Sequence, residues 1–100
     1  MFETYTAHFL SPAKEYIESI DDADKGAIAA DIDIMRGGDL QTPHTKQLKG
    51  PIRELISGHH RITYFVNGRS LYFVRGFRKK TSKTPKREID YAEHVYKQMK

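Results

Sequence analysis

Two runs of β-forming residues, Arg61-Ile62-Thr63-Tyr64-Phe65-Val66 and Ser70-Leu71-Tyr72-Phe73-Val74-Arg75-Gly76, flank the dipeptide Asn67-Gly68. Aromatic and β-branched runs this close together pair as an antiparallel hairpin. A type I′ turn is expected over Asn67-Gly68, because it needs positive φ at both central residues. Residues 52–57 form a further short strand, joined to the hairpin through the turn Gly58-His59-His60. The remaining chain must then cover this sheet.

Helical periods supply the cover. Residues 2–10 read as an N-terminal strand, and Ser11-Pro12 opens a helix with a capping hydroxyl and a proline at the first helical position. Ala13, Tyr16, Ile17 and Ile20 form its apolar stripe up to Asp21-Asp22. Asp22 or its neighbour caps a second helix carrying Ile28, Ile32 and Met35, which Gly37-Gly38 ends with a left-handed residue. The two helices make a hairpin. Residues 39–50 read as a loop. Thr84-Pro85 starts a last helix, with Ile89, Ala92, Tyr96 and Met99 facing inward. The reading is an α+β fold of order β-α-α-β-β-β-α, with a small antiparallel or mixed sheet. At 100 residues, 38% of them apolar, the chain is expected to be one domain, residues 1–100.

Several classes of protein are excluded. The chain has no cysteine, so disulfide frameworks and thiolate-held metals are out. The five histidines are scattered without metal-ligand spacing, and no glycine-rich nucleotide loop occurs. No cofactor or metal is expected. No apolar run approaches the roughly 18 residues of a membrane span, and the first residues lack a signal-peptide pattern. A cytoplasmic protein without a membrane partner is expected.

Charge points to a polyanion. Residues 1–48 carry a net charge of −5 and residues 49–100 carry +9, which gives +4 overall. Six of the ten residues from Arg78 to Arg87 are cationic. Arg78, Lys79, Lys80, Lys83, Lys86 and Arg87 are therefore candidate phosphate contacts, as are the hydroxyls of Thr81, Ser82 and Thr84. Lys46, Lys49 and Arg53 add cations before and on the sheet. Alternation puts Arg61, Thr63 and Phe65 on one sheet face, where Arg61 can join Lys79 and Lys80. His59 and His60 are candidate proton carriers. Tyr64, Phe65, Tyr72 and Phe73 suit either base stacking or the core.

Several phrases resemble a known group. Leu48-Lys49-Gly50, Arg53-Glu54-Leu55 and His60 to Phe65 are similar to the middle of RelE/ParE-superfamily toxins. Gly76 to Pro85, followed by Glu88-Ile89 and Ala92, resembles the phage-derived, HigB-like branch, whose first helix Ser11-Pro12-Ala13-Lys14-Glu15-Tyr16 also fits. The chain departs from that branch at Ile56, at Arg75 and at His94-Val95-Tyr96. The resemblance implies a RelE-like fold and the toxin of a type II toxin–antitoxin system. It implies an endoribonuclease that cuts mRNA on the ribosome and is held by an antitoxin, here a helix-turn-helix, HigA-like protein. On that reading Arg61 with Lys79 or Lys80 neutralises the phosphate. Lys79 or Lys80 is the base, with Lys49 in reserve, and Arg53, His59 or His60 is the acid. The alternatives are a gyrase-poison-like toxin and a plain RNA-binding module.

Overall fold

Alternation along the sheet divides its apolar side chains between two faces, and both faces are covered. The structure, a computed structural model, describes residues 4–99. Its elements are β1 (Thr6–Phe9), α1 (Ser11–Ser19), α2 (Asp22–Arg36), β2 (Thr45–Lys49), β3 (Ile52–Ser57), β4 (His60–Asn67), β5 (Ser70–Arg78) and α3 (Lys86–Met99). The described residues form one sheet in the order β1-β5-β4-β3-β2, in which β1 runs parallel to β5 and the other pairs are antiparallel. The sheet is therefore mixed. Phe2 and Glu3 of the expected first strand lie outside the described residues.

One face packs Leu55, Ile62, Tyr64, Leu71 and Phe73 against Ala13 of α1 and Ile28, Ile32 and Met35 of α2. The opposite face packs Ile52, Phe65 and Val74 against Ala92 and Val95 of α3. Tyr64, Phe65 and Phe73 are buried in these cores, so they offer no stacking surface to a nucleic acid. Burying such a ring removes on the order of 150–250 Å² from water, and the small cores depend on it.

The structure changes four details of the sequence reading. First, residues 45–49, read as loop, form β2, so the order is β-α-α-β-β-β-β-α. This edge strand has no apolar alternation because one side meets solvent, and its lysines suit an edge. Second, the central hairpin turn falls on Gly68-Arg69, since Asn67 pairs with Ser70. Gly68 has φ 63° and Arg69 is not positive, the pattern of a type II′ turn. Gly50-Pro51 and Gly58-His59 repeat it, with φ of 53° and 59° at the glycine. Third, Ser11 lies inside α1, because Leu10 is still hydrogen-bonded to Phe73 of β5 and the helix starts directly after it. Asp21 caps α2 through Asp24 N–H, at 2.9 Å. Fourth, the inward stripe of α3 is Glu88, Ala92 and Val95, while Met99 is 39% exposed. The stripe turns because Arg75 of β5 meets Glu88 there.

A polar clasp joins the helices to the sheet. His60 is 6% exposed and lies between Asp24 Oδ2 (2.9 Å from Nε2) and the Tyr16 hydroxyl (2.6 Å from Nδ1). A carboxylate only accepts, so Nε2 donates to Asp24 and Nδ1 accepts from Tyr16. The Tyr16 ring reaches this position by lying flat on Gly76. A Cβ at Gly76 would stand 2.4 Å from Tyr16 Cδ2. Gly76→Ala is therefore expected to destabilise the protein by about 1–3 kcal/mol in urea unfolding, an overpacking cost. Burial holds the Tyr16 phenol above its ordinary 10.0, and the nearby Arg78 pulls the other way. The native phenol keeps its proton where the unfolded chain loses it. That stability is whole below pH 10.0 and disappears as pH climbs through the raised native value. Tyr16→Phe should flatten the fall in melting temperature above that pH.

Candidate functional site

The basic segment after β5 is pinned at both ends. Lys79 N–H donates to His59 O in the β3–β4 turn, at 2.8 Å. The Thr84 hydroxyl donates to Glu54 Oε1 on β3, at 2.7 Å. Within the segment, the Thr81 hydroxyl donates to Lys83 O. Two of the three hydroxyls expected to meet phosphate are thus already engaged. The lysines remain: Lys79 is half-buried, and Lys80 and Lys83 are exposed.

Glu54 is 0% exposed, and its cross-strand row explains the burial. Lys46, Glu54, Thr63 and Arg75 stand opposite one another across β2, β3, β4 and β5. Arg61 sits one row further along, opposite Phe77. Its side chain is 14% exposed, with Nε 3.9 Å from Glu54 Oε2. Its Nη1 donates to Gly58 O (2.7 Å) and His60 O (3.0 Å). Arg75 ends the row with Nε 3.1 Å from Glu88 Oε1 and its guanidinium 5.4 Å from the Tyr91 ring centroid. Glu54 and Glu88 are two buried carboxylates, each facing an arginine, beneath the loop and the start of α3. Leaving a buried charge unpaired costs several kcal/mol, so the arginines are held as firmly as the acids.

Beside this row opens a cleft of about 470 Å³ between β5, the basic loop and α3, lined by Phe77, Arg78, Lys80, Thr81, Arg87 and Glu88, with Pro85 at one side. The structure thus brings together Arg61, Lys79, Lys80, Thr81, Lys83 and Arg87 at one end of the sheet. Lys46 lies on the same face at the far edge. Arg78 stands directly opposite His60, close enough to act on the Tyr16 phenol, and lines the cleft from the last position of β5. Lys49 pairs with Glu93 of α3 at 3.2 Å. Lys86 bonds Asp90 at 2.7 Å, and that hydrogen bond raises its pKa.

Two candidates lie elsewhere. Arg53 is on the opposite face, with Nη2 donating to Thr45 (3.1 Å) and Nε to the Tyr64 hydroxyl (3.4 Å). His60 is on that opposite face too, inside the Tyr16–Asp24 clasp. The exposed His59 adjoins Lys79 through its carbonyl. Sequence reasoning missed Glu54, Glu88 and Arg75. A glutamate in an apolar strand beside two arginine-bearing strands was the available signal. Among the described residues no group of three His, Asp or Glu is placed to hold a metal ion. No helix among them is long and apolar enough to cross a membrane.

A five-stranded mixed sheet with two helices on one face and one on the other is a RelE-like toxin fold. Archaeal RelE from Pyrococcus horikoshii, solved as a RelE–RelB complex, matches with TM-score 0.69 and 15% identity over 79% of this chain and 99% of that one. The RelB–RelE complex of Methanococcus jannaschii matches with TM-score 0.62 and 20% identity over 83% and 95%. The isolated E. coli RelE toxin matches with TM-score 0.61 and 10% identity over 93% and 97%. No curated protein sequence matches the chain. Residues 15–97 match the model of the phage-derived, Gp49-like proteins, and the chain belongs to that family.

The Glu54–Thr84 bond is open to direct test. Thr84→Val keeps the shape and leaves a buried carboxylate oxygen without its donor. It is expected to cost about 1–3 kcal/mol and to raise amide exchange in residues 79–85 while β4 stays protected.

Proposed function

We propose that this chain is the toxin of a type II toxin–antitoxin system and that it cuts mRNA as an endoribonuclease, with the ribosome presenting the substrate. The observation that carries the reading is the pinned basic loop. Lys79 and Lys80 are held at the open end of the sheet on a RelE-like fold, next to Arg61 and Arg78.

The chemistry needs no cofactor. The ribose 2′-oxygen attacks the adjacent phosphorus, its proton passes to a base, and the P–O5′ bond breaks as the 5′-oxygen gains a proton. The products are a 2′,3′-cyclic phosphate and a 5′-hydroxyl. Arg78 and the two lysines stabilise the extra negative charge of the phosphorane. Lys79 or Lys80 takes the 2′-hydroxyl proton. Arg61 secures the β3–β4 turn on which Lys79 is hung and offsets the charge of the buried Glu54. His59, exposed beside Lys79, is the best-placed leaving-group acid, since Arg53 and His60 face the other side. A loop that binds phosphate but does not fix a whole codon suits a substrate positioned by the ribosome.

The Pyrococcus and Methanococcus relatives were solved with RelB bound. On the present reading this chain also has an antitoxin, a helix-turn-helix protein of the HigA kind, and it acts in the cytoplasm.

Expression from a tight inducible promoter should arrest growth and create new mRNA 5′ ends at codon-phased positions, read by primer extension. Lys79→Ala/Lys80→Ala should keep the fold by circular dichroism. It should lower cleavage by on the order of 10²-fold, the scale of losing transition-state charge stabilisers. Growth arrest with intact mRNA sinks the ribonuclease reading.

A further inference from the structure

The sheet has two edges, and they differ. β2 carries Lys46 and Lys49, charges that discourage a further strand. β1 reads Thr6-Ala7-His8-Phe9 and carries no such charge. Thr6 N–H donates to Arg69 O and Leu10 N–H to Phe73 O, which sets the phase of the parallel pairing with β5. The even-numbered residues therefore turn their backbone groups to β5, and Ala7 and Phe9 turn theirs to the open edge. The side chains of Ala7 and Phe9 lie on the face under α1 and α2. There they line a groove of about 350 Å³ with Ile17, Ala29 and Ile32. Phe9 is 42% exposed although it stacks on Phe73, with ring centroids 5.2 Å apart. Charged residues flank both ends of the groove. Lys14 and Glu18 lie at the Phe9 end, and neither has an ion-pair partner among the described residues. Asp33 and Arg36 lie at the Thr6 end, 3.3 Å from each other.

We propose that this edge binds a second copy of the chain, β1 against β1 about a twofold axis, which joins two five-stranded sheets into one. The backbone phase sets the register. With His8 on the axis, Ala7 faces Phe9 of the second copy and Phe9 faces its Ala7, and each of these pairs exchanges two N–H···O bonds. Centring on Ala7 instead would call on Tyr5, whose N–H already goes to Arg36 O. Centring on Phe9 would call on Ser11, which is inside α1. Size complements size in the favoured register, because the ring of Phe9 lies over the small Ala7 of the other copy and closes its groove. Charge does the same. Antiparallel docking lays the Phe9 end of one groove on the Thr6 end of the other, so Lys14 meets Asp33 and Glu18 meets Arg36. A twofold contact must be complementary to itself, and a patch carrying both signs in balance meets that demand. The two β5 strands then run in opposite directions, so the basic loops at their ends point apart and both stay open. The seam is short, which places the dimer in the weak, transient class. None of this rests on the cleavage reading.

Sedimentation equilibrium of the full chain, from about 10 μM to 1 mM, spans the affinities of such weak contacts. The mass should climb towards that of two chains. Lys14→Glu should raise the concentration of half-association by about fivefold to tenfold, because it sets like charges together, and adding Asp33→Lys should restore it. Crosslinking reads the register, since the chain has no cysteine of its own. Cβ atoms directly opposite on antiparallel strands lie about 4.5–5.5 Å apart, close to the spacing a disulfide needs. His8→Cys should therefore give a disulfide-linked dimer on mild oxidation. Thr6→Cys should not, because at roughly 3.3 Å per residue its copy lies about 13 Å away along the seam. His8 and Thr6 are both exposed, and circular dichroism checks that each variant keeps the fold. A monomer mass that stays constant up to 1 mM overturns the proposal and leaves the edge to a segment of a different chain. Association that Lys14→Glu leaves unchanged, with equal crosslinking of the two cysteine variants, overturns it as well by placing the contact elsewhere.

Discussion

A glutamate sealed from water at the centre of a sheet face is costly, and Glu54 is such a residue. Its two oxygens meet different parts of the molecule: Oε1 takes the Thr84 hydroxyl, and Oε2 faces Arg61. Through the first contact the end of the basic loop is tied to β3. Through the second, Arg61 is held under the β3–β4 turn, whose His59 carbonyl receives Lys79 N–H. One buried charge therefore fixes both ends of a six-residue stretch, Lys79 to Thr84, whose three lysines repel one another. Without that anchor, the exposed lysines of the loop would favour an extended, mobile chain.

The two sheet faces divide the work. The face under α1 and α2 is apolar apart from the clasp of Tyr16, His60 and Asp24, and it gives the fold its main core. The face under α3 is apolar only in its middle, at Ile52, Phe65, Val74, Ala92 and Val95. Beyond them it turns to paired charges: Glu54 with Arg61 and Glu88 with Arg75. The paired charges form a platform, and the unpaired cations of the loop stand on it. The negative charge of residues 1–48 sits mainly on α1 and α2, on the other face, so it does not cancel the positive field.

The architecture was largely legible because local signals agree. The β3, β4 and β5 runs, the proline in the first turn of α1, and the period of α2 each point to what formed. The failures have physical causes. In β2, Lys46, Gln47 and Lys49 hide a strand because an edge needs backbone pairing and no apolar face. The turn moved to Gly68-Arg69 because strand register, set by packing on both faces, outweighs a dipeptide preference. The site was half legible: the cations of the loop are contiguous and easy to see. Glu54 and Glu88 come from separate elements, and strand alternation alone does not say that α3 lands on them. His60 reads as a turn histidine in sequence, and only the docking of α1 on Gly76 brings Tyr16 to it.

The central claim is that Glu54 holds the basic loop through Thr84, and a double-mutant cycle measures it. Glu54→Leu, Thr84→Val and the double variant would be unfolded in urea under one set of conditions. The account predicts a coupling energy of about 0.5–3 kcal/mol, the range for residues in direct contact. Additive effects, with no coupling between the two positions, would contradict it, because the loop would then be placed by something other than this bond.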